Sequence, residues 1–329
     1  MDKRGILAVV LSLAVLFIYQ LFFLKHPPAP KKMEDVQRER VVENFKNSEA
    51  TVAQEGKIPQ TPKALFSSQG TLRGKDIPVD TPLYTATFTT GRGGLKSFKL
   101  KQYRKTIAAD SELIELVEGR NGMPPPLAVS FPDSSIDIPA DIIYAANADS
   151  VKIPETMTTH PQSLVFSQSY PNEIKVEKIF TFYPDRYNID LEVRVYNLTT
   201  APLNQSASLS WYQFVDPQTK TDSYSHKGPV SFVSQSVERQ NVEKLDTPKT
   251  LGPNISWGGF ESKYFLAAMV PRNPSNASLY LSRDDRNIVS VSIRSNSNII
   301  PPGQFDSFRY SLYLGPKDYT ILKTEGAEL

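Results

Sequence analysis

The 329-residue chain contains three histidines, His26, His160 and His226, and no cysteine. That inventory limits what it can catalyse. Without thiols there is no disulfide, no thiolate nucleophile and no zinc site of the cysteine type. No His-Glu-x-x-His spacing is present, and no Gly-x-Ser-x-Gly elbow accompanies a histidine that could act as the base of a serine triad. The histidines therefore read as surface or loop residues. The carboxylate pairs Asp284-Asp285 and Glu112/Glu115 read as solvated loop or strand charges. No residue is assigned a catalytic role, and no metal or cofactor is expected.

Two glycine clusters could bind a ligand. The turn Gly91-Arg92-Gly93-Gly94 could form a nest of backbone N–H groups around an anion. It stands between two strand-like runs and opens no helix, which favours a hairpin turn with positive φ. Trp257-Gly258-Gly259-Phe260, followed by Tyr264 and Phe265, groups four aromatics around two glycines. Such rings can stack on a sugar or hold a peptide, and the plainer reading is a bent core edge. Trp257, Phe260, Tyr264 and Phe265 are the candidate ligand or partner patch.

These groups must be positioned by the elements around them, and the first is an apolar run. Residues 5–24 carry no charge and include Ile6, Leu16, Phe17 and Leu24. As a helix they would span about 30 Å, one hydrocarbon core. Lys25-His26-Pro27-Pro28 then ends the run with a cation and a helix-breaking pair. A cleaved signal peptide is the competing reading. The run is longer than a usual h-region and no small-x-small site follows it, so an uncleaved membrane anchor is expected. Orientation does not follow from charge, because Lys3 and Arg4 precede the run while Lys25, Lys31, Lys32, Arg38 and Arg40 follow it.

Residues 25–80 are polar and proline-bearing and read as a flexible linker, with a short helical piece around residues 33–45. Beyond Pro82 the hydrophobic period becomes two. Leu83 to Thr89, Leu95 to Leu100 and above all Ile189-Asp190-Leu191-Glu192-Val193-Arg194-Val195 alternate apolar and polar positions. Ile174, Val176, Phe180 and Phe182 line one side of the preceding run, and Leu209 and Trp211 alternate with serines. Val289, Val291 and Ile293, then Phe308, Tyr310, Leu312 and Leu314, continue the pattern. Many short alternating runs separated by turn residues predict an all-β antiparallel sandwich over residues 81–315. Residues 316–329 read as the start of a helical connector.

A formal charge of +2, from 37 basic and 35 acidic residues, leaves no electrostatic footprint for nucleic acid. The lack of disulfides leans towards a bacterial envelope protein. The sequons at Asn197, Asn204, Asn254 and Asn276 read as loop composition.

Several segments together resemble the bacterial YidC membrane protein insertase family. The basic N-terminus with one apolar run is similar to that family's first transmembrane segment. Thr90-Gly91-Arg92-Gly93-Gly94-Leu95-Lys96-Ser97-Phe98-Lys99-Leu100 resembles the opening strands of its periplasmic domain. Tyr183-Pro184-Asp185-Arg186-Tyr187-Asn188-Ile189 resembles a central strand pair, and Tyr313-Leu314-Gly315-Pro316-Lys317 the exit from the domain. The most specific likeness is Trp257 to Pro271.

The resemblance implies a galactose-mutarotase-like β-super-sandwich in the periplasm and a cytoplasmic N-terminus (residues 1–4) at the inner membrane. Its implied partners are nascent membrane proteins, the lipid bilayer and Sec translocon components, accessory Sec subunits included. The family's lipid-open groove and its intramembrane arginine have no counterpart in residues 1–329, so none of its functional residues is carried over. The expected role is that of an anchor and accessory domain assisting insertion, folding and assembly of membrane proteins, without enzymatic chemistry. Two other classes compete: a membrane-tethered carbohydrate-binding or carbohydrate-active sandwich, and a structural envelope protein.

Overall fold

A computed structural model describes residues 74–108, 110–154, 161–171, 173–218, 226–273, 277–325 and 329. The anchor residues Ile6, Leu16, Phe17 and Leu24 and the helical piece at 33–45 lie outside them, as do His26, His160 and Asn276. No helix among the described residues is long and apolar enough to cross a membrane.

Nearly all of the regular secondary structure in the described chain is strand. Its largest sheet has nine, in the spatial order Ser236–Arg239, Gly228–Val233, Ile255–Glu261, Phe265–Pro271, Phe305–Pro316, Asn188–Asn197, Ile174–Phe182, Gln162–Tyr170 and Ala145–Ala146. Two five-stranded sheets lie against it. One runs Leu113–Glu115, Gly94–Arg104, Tyr84–Thr89, Asp76–Asp80 and Val151–Lys152. The other runs Lys249–Leu251, Ala277–Arg283, Ile288–Ser295, Ser208–Phe214 and Ala128–Ser130. A short ribbon pairs Leu203–Gln205 with Asn298–Ile300. The first strand starts at Asp76, so pairing begins inside the stretch expected to be linker: Ile77 faces Phe88 and is fully buried.

Alternation explains the layering. Ile174, Val176, Phe180 and Phe182 point one way from their strand, as do Ile189, Leu191, Val193 and Val195 from the next, and all are buried. The first small sheet covers them, with the Phe88 ring 4.8 Å from Phe180 and 5.6 Å from Phe182. Burying each such ring contributes about 1.5–3 kcal/mol. The other small sheet covers the far part of the large one, so closely that a side chain on Gly258 would meet Leu279 at 2.5 Å.

On the outer face, Glu192 and Arg194 are half-buried and not the freely exposed charges that alternation alone suggests. They pair with each other at 2.7 Å, and Arg309 reaches Glu192 at 3.0 Å. Partial burial of the Glu192 carboxyl works to raise its pKa, but the hydrogen bonds from Arg194 and Arg309 outweigh it and hold the group below the usual carboxylate range.

Among the described residues Asn197, Lys178 and Gln205 are polar and fully buried. Asn197, one of the sequon asparagines, is buried: its Nδ2 donates to Ala201 O and Ile300 O at 2.8 Å, and its Oδ1 accepts from Thr199. It locks the corner between two strands, which corrects its reading as loop composition. Lys178 occupies an inward position between Val176 and Phe180, and its ammonium donates to Gly93 O, to Leu127 O at 2.8 Å and to Arg92 O at 3.3 Å. The glycine turn is thus a hairpin turn, with Arg92 and Gly93 at φ 58 and 54, and it presents carbonyls to a cation. The anion-nest alternative does not apply here.

Two outcomes follow from this interior. Val193 is fully buried, so Val193→Asp should lower the stability of the domain by about 3 kcal/mol or more in urea denaturation, through an unpaired buried charge. Burial pushes the Lys178 ammonium down to about 7. The unfolded chain then binds more protons than the folded one at pH values between that and the ordinary lysine range, so stability should rise as pH increases from 7 to 9. Lys178→Met should flatten that rise, measured by denaturant titrations at a series of pH values.

Candidate functional site

The strand Ile255–Glu261 and the strand Phe265–Pro271 form a hairpin whose turn is closed by Ser262 N–H donating to Phe265 O at 2.9 Å. Glycine is required at its centre, because a Cβ on Gly259 would lie 1.9 Å from the Ala267 carbonyl oxygen. Phe260 faces Ala267 across the ladder, and Phe265 lies two residues further along on the same side. These side chains form one wall of a cleft of about 390 Å³.

The opposite wall comes from the edge of the first small sheet, where Ile114, Glu115 and Leu116 face the cleft, and Trp211 and Gln213 of the second small sheet complete it. Lys105, Lys227 and Lys263 stand around it. Tyr264 sits at the turn, 64% exposed, and Tyr103 meets Phe265 edge-on with ring centroids 5.5 Å apart. Trp211 is buried, its indole N–H donating to Gln213 Oε1 at 3.2 Å.

The charges near the cleft are already engaged. Glu115 accepts from the backbone N–H of Phe98 at 2.6 Å and of Val117 at 3.0 Å, and also from Ser97 Oγ. Glu118 holds Lys227 at 2.8 Å, and Lys105 pairs with Glu112 at 2.6 Å. His226 sits 3.2 Å from Pro229 O. Among the described residues no group of three or more His, Asp or Glu is placed to hold a metal. What the cleft offers a ligand is apolar and aromatic surface with lysines at its rim.

The four candidate aromatics divide. Phe260, Tyr264 and Phe265 line the cleft, and Trp257 does not. Side chains alternate along a strand, so Trp257 and Phe260, three residues apart, fall on opposite faces. Trp257 is buried and stacks on Phe232 at 6.3 Å. The sequence reading missed Trp211, Gln213, Ile114 and Leu116, which reach the cleft from other sheets. The only signal for any of them was the alternation around Trp211.

Behind the hairpin, Glu261 is buried and takes two cations, Arg239 Nε at 2.6 Å and Lys317 Nζ at 3.0 Å. Lys317 also donates its backbone N–H to Tyr264 O at 2.7 Å. The chain leaving the strand Phe305–Pro316 is thereby fastened to the cleft wall. It continues into the helix Tyr319–Glu325, capped by Asp318 Oδ1 accepting from Thr320 N–H at 2.9 Å.

Comparison with known proteins places this architecture. A galactose mutarotase-like protein from Lactobacillus casei superposes with a TM-score of 0.50 at 11% identity, over 73% of this chain and 99% of its own, a likeness of fold. A membrane protein insertase YidC from Syntrophus aciditrophicus is 50% identical over the whole chain, which spans 61% of it. One from Geotalea daltonii is 29% identical over the whole chain, which spans 60% of that protein. The chain thus spans about three fifths of the length of these curated relatives. Residues 76–329, which include all the strands and the cleft just described, match the model of the YidC periplasmic domain, and the chain belongs to that family.

Proposed function

We propose that this chain supplies the anchor and periplasmic domain of a bacterial inner-membrane insertase, with its N-terminus in the cytoplasm and the residues after Lys25 in the periplasm. The observation that carries this reading is the 50% identity over the whole chain to a protein named as a membrane protein insertase. Within such a protein the β domain works by binding, not by enzymatic chemistry. Its aromatic cleft takes an apolar stretch of a nascent membrane protein and holds it briefly. The same domain contacts Sec translocon components, accessory Sec subunits among them.

Insertion itself needs a polar surface inside the bilayer, because each unsatisfied polar group in hydrocarbon costs several kcal/mol. The run 5–24 offers only Ser12, Tyr19 and Gln20 as polar side chains. Expressed alone in cells depleted of their insertase, residues 1–329 should therefore fail to restore growth, and rescue would refute the accessory role. A photo-crosslinker in place of Tyr264 in the full-length insertase should capture a nascent membrane protein. The same probe at Val237, exposed on the edge strand Ser236–Arg239, should not. Equal labelling at both positions would remove the cleft from the proposal.

A further inference from the structure

Large apolar side chains exposed to solvent gather at the end of the sandwich where the chain leaves its last long strand. Ile107, in the turn between Gly94–Arg104 and Leu113–Glu115, is 108% exposed. Tyr264, in the hairpin turn, is 64% exposed and Tyr319, in the terminal helix, is 77% exposed. Three separate elements deliver them, and contacts hold those elements together. Tyr103 abuts Phe265, Lys317 N–H donates to Tyr264 O at 2.7 Å, and Lys105 and Tyr264 line one cleft.

The two tyrosines each have a cation beside the ring, and Ile107 follows two cations in sequence. Lys263 Nζ lies 5.4 Å from the Tyr264 ring and Lys323 Nζ 5.9 Å from that of Tyr319, while Arg104 and Lys105 precede Ile107 in the chain. The carboxylates at this end include Asp110, Glu112 and Asp318. Glu112 is bound by Lys105, and Asp318 is turned to the helix N–H groups. Tyrosines and an aliphatic tip flanked by lysines and arginine match the chemistry of the bilayer interface. There rings sit at headgroup depth and ammonium groups reach lipid phosphates.

We infer that this end of the domain docks on the surface of the bilayer, with Ile107, Tyr264 and Tyr319 entering the headgroup layer. The inference rests on the membrane-tethered reading above. A tether to the same bilayer raises the local concentration of the surface, so a contact too weak to recruit a free domain suffices to orient a tethered one. The cleft would then open close to the membrane, where an apolar segment leaves or enters it. The far end also exposes apolar groups, Leu198, Ile299 and Phe305 at 54%, 72% and 51%. Phe305 there has Arg194 5.8 Å from its ring, but Ile299 stands beside amides, with Asn204 opposite it and Asn298 bonded to Asp306. It serves as the internal control.

The absence of cysteine permits a clean test. Ile107→Cys, Tyr264→Cys and Ile299→Cys would each be introduced singly into the full 329-residue chain and labelled with the fluorophore NBD. The labelled proteins would be reconstituted into phosphatidylethanolamine–phosphatidylglycerol vesicles. Co-flotation of all three reports on the N-terminal anchor alone, so its failure counts against the tethered reading and not against the docking face. In the floated protein, NBD at 107 and 264 should emit at shorter wavelength and lose most of its emission to headgroup-region spin-labelled lipid, while NBD at 299 should do neither. Equal quenching at all three positions, or none at 107 and 264, overturns the proposal. Blue-shifted emission at 107 and 264 that spin-labelled lipid does not quench assigns the face to a protein contact and overturns it as well.

Discussion

The structure depends on covering one long apolar face. The nine-stranded sheet turns a continuous row of Val, Ile, Leu and Phe to one side, and no single five-stranded sheet is wide enough to cover it. Two smaller sheets lie side by side to do so. Phe88 fills the contact on one flank and Leu279 seats against Gly258 on the other. Where the two covers fail to meet, between Leu113–Glu115 and Trp211, the large sheet's hairpin is left partly uncovered, and that gap is the aromatic cleft. The candidate site is a by-product of how the core is closed.

Lys178 bears on the same seam. It projects from the large sheet, and its carbonyl partners belong to the turn that opens the strand Gly94–Arg104 and to Leu127, next to the strand Ala128–Ser130 of the other small sheet. One ammonium thus ties the large sheet to the segments that lead into both five-stranded sheets. Burying it costs desolvation energy that three hydrogen bonds only partly offset, as its depressed pKa records. Directional bonds at a point where three apolar surfaces could otherwise slide give the packing a fixed register, a role attested for some buried polar groups.

Much of the β architecture was legible because alternation is local information. The runs at Ile189 to Val195 and Leu95 to Leu100 and the last strand needed no knowledge of their partners. Lys178 was legible in principle too: it occupies an inward position in the row Ile174, Val176, Phe180 and Phe182, where an exposed lysine has no place. Reading only the apolar members of that row hid it. The cleft was less accessible. Its walls come from three sheets whose mutual placement follows from tertiary packing, and the aromatic cluster around Trp257 looks like one patch only while the strand pleat is ignored. The buried Asn197 likewise needed its distant partner Ile300 to be visible.

The strand Phe305–Pro316 is the last long strand in sequence, yet it lies in the interior of the large sheet, paired on one side with Phe265–Pro271 and on the other with Asn188–Asn197. A chain made or threaded from its N-terminus must therefore wait. Until residue 316 has emerged, the strands before Asn197 and the hairpin group around Phe260 are two incomplete half-sheets, each with an open edge facing the vacancy. On the Asn188–Asn197 side closure joins residues more than a hundred positions apart, such as Asn188 and Tyr313, and contacts of that range are slow to form. An apolar edge left open for so long is prone to pair with other chains. For this architecture the order of synthesis is a constraint in its own right: the large sheet becomes continuous, and the exit at Lys317 can be fastened to Tyr264 and Glu261, only once the strand Phe305–Pro316 is in place.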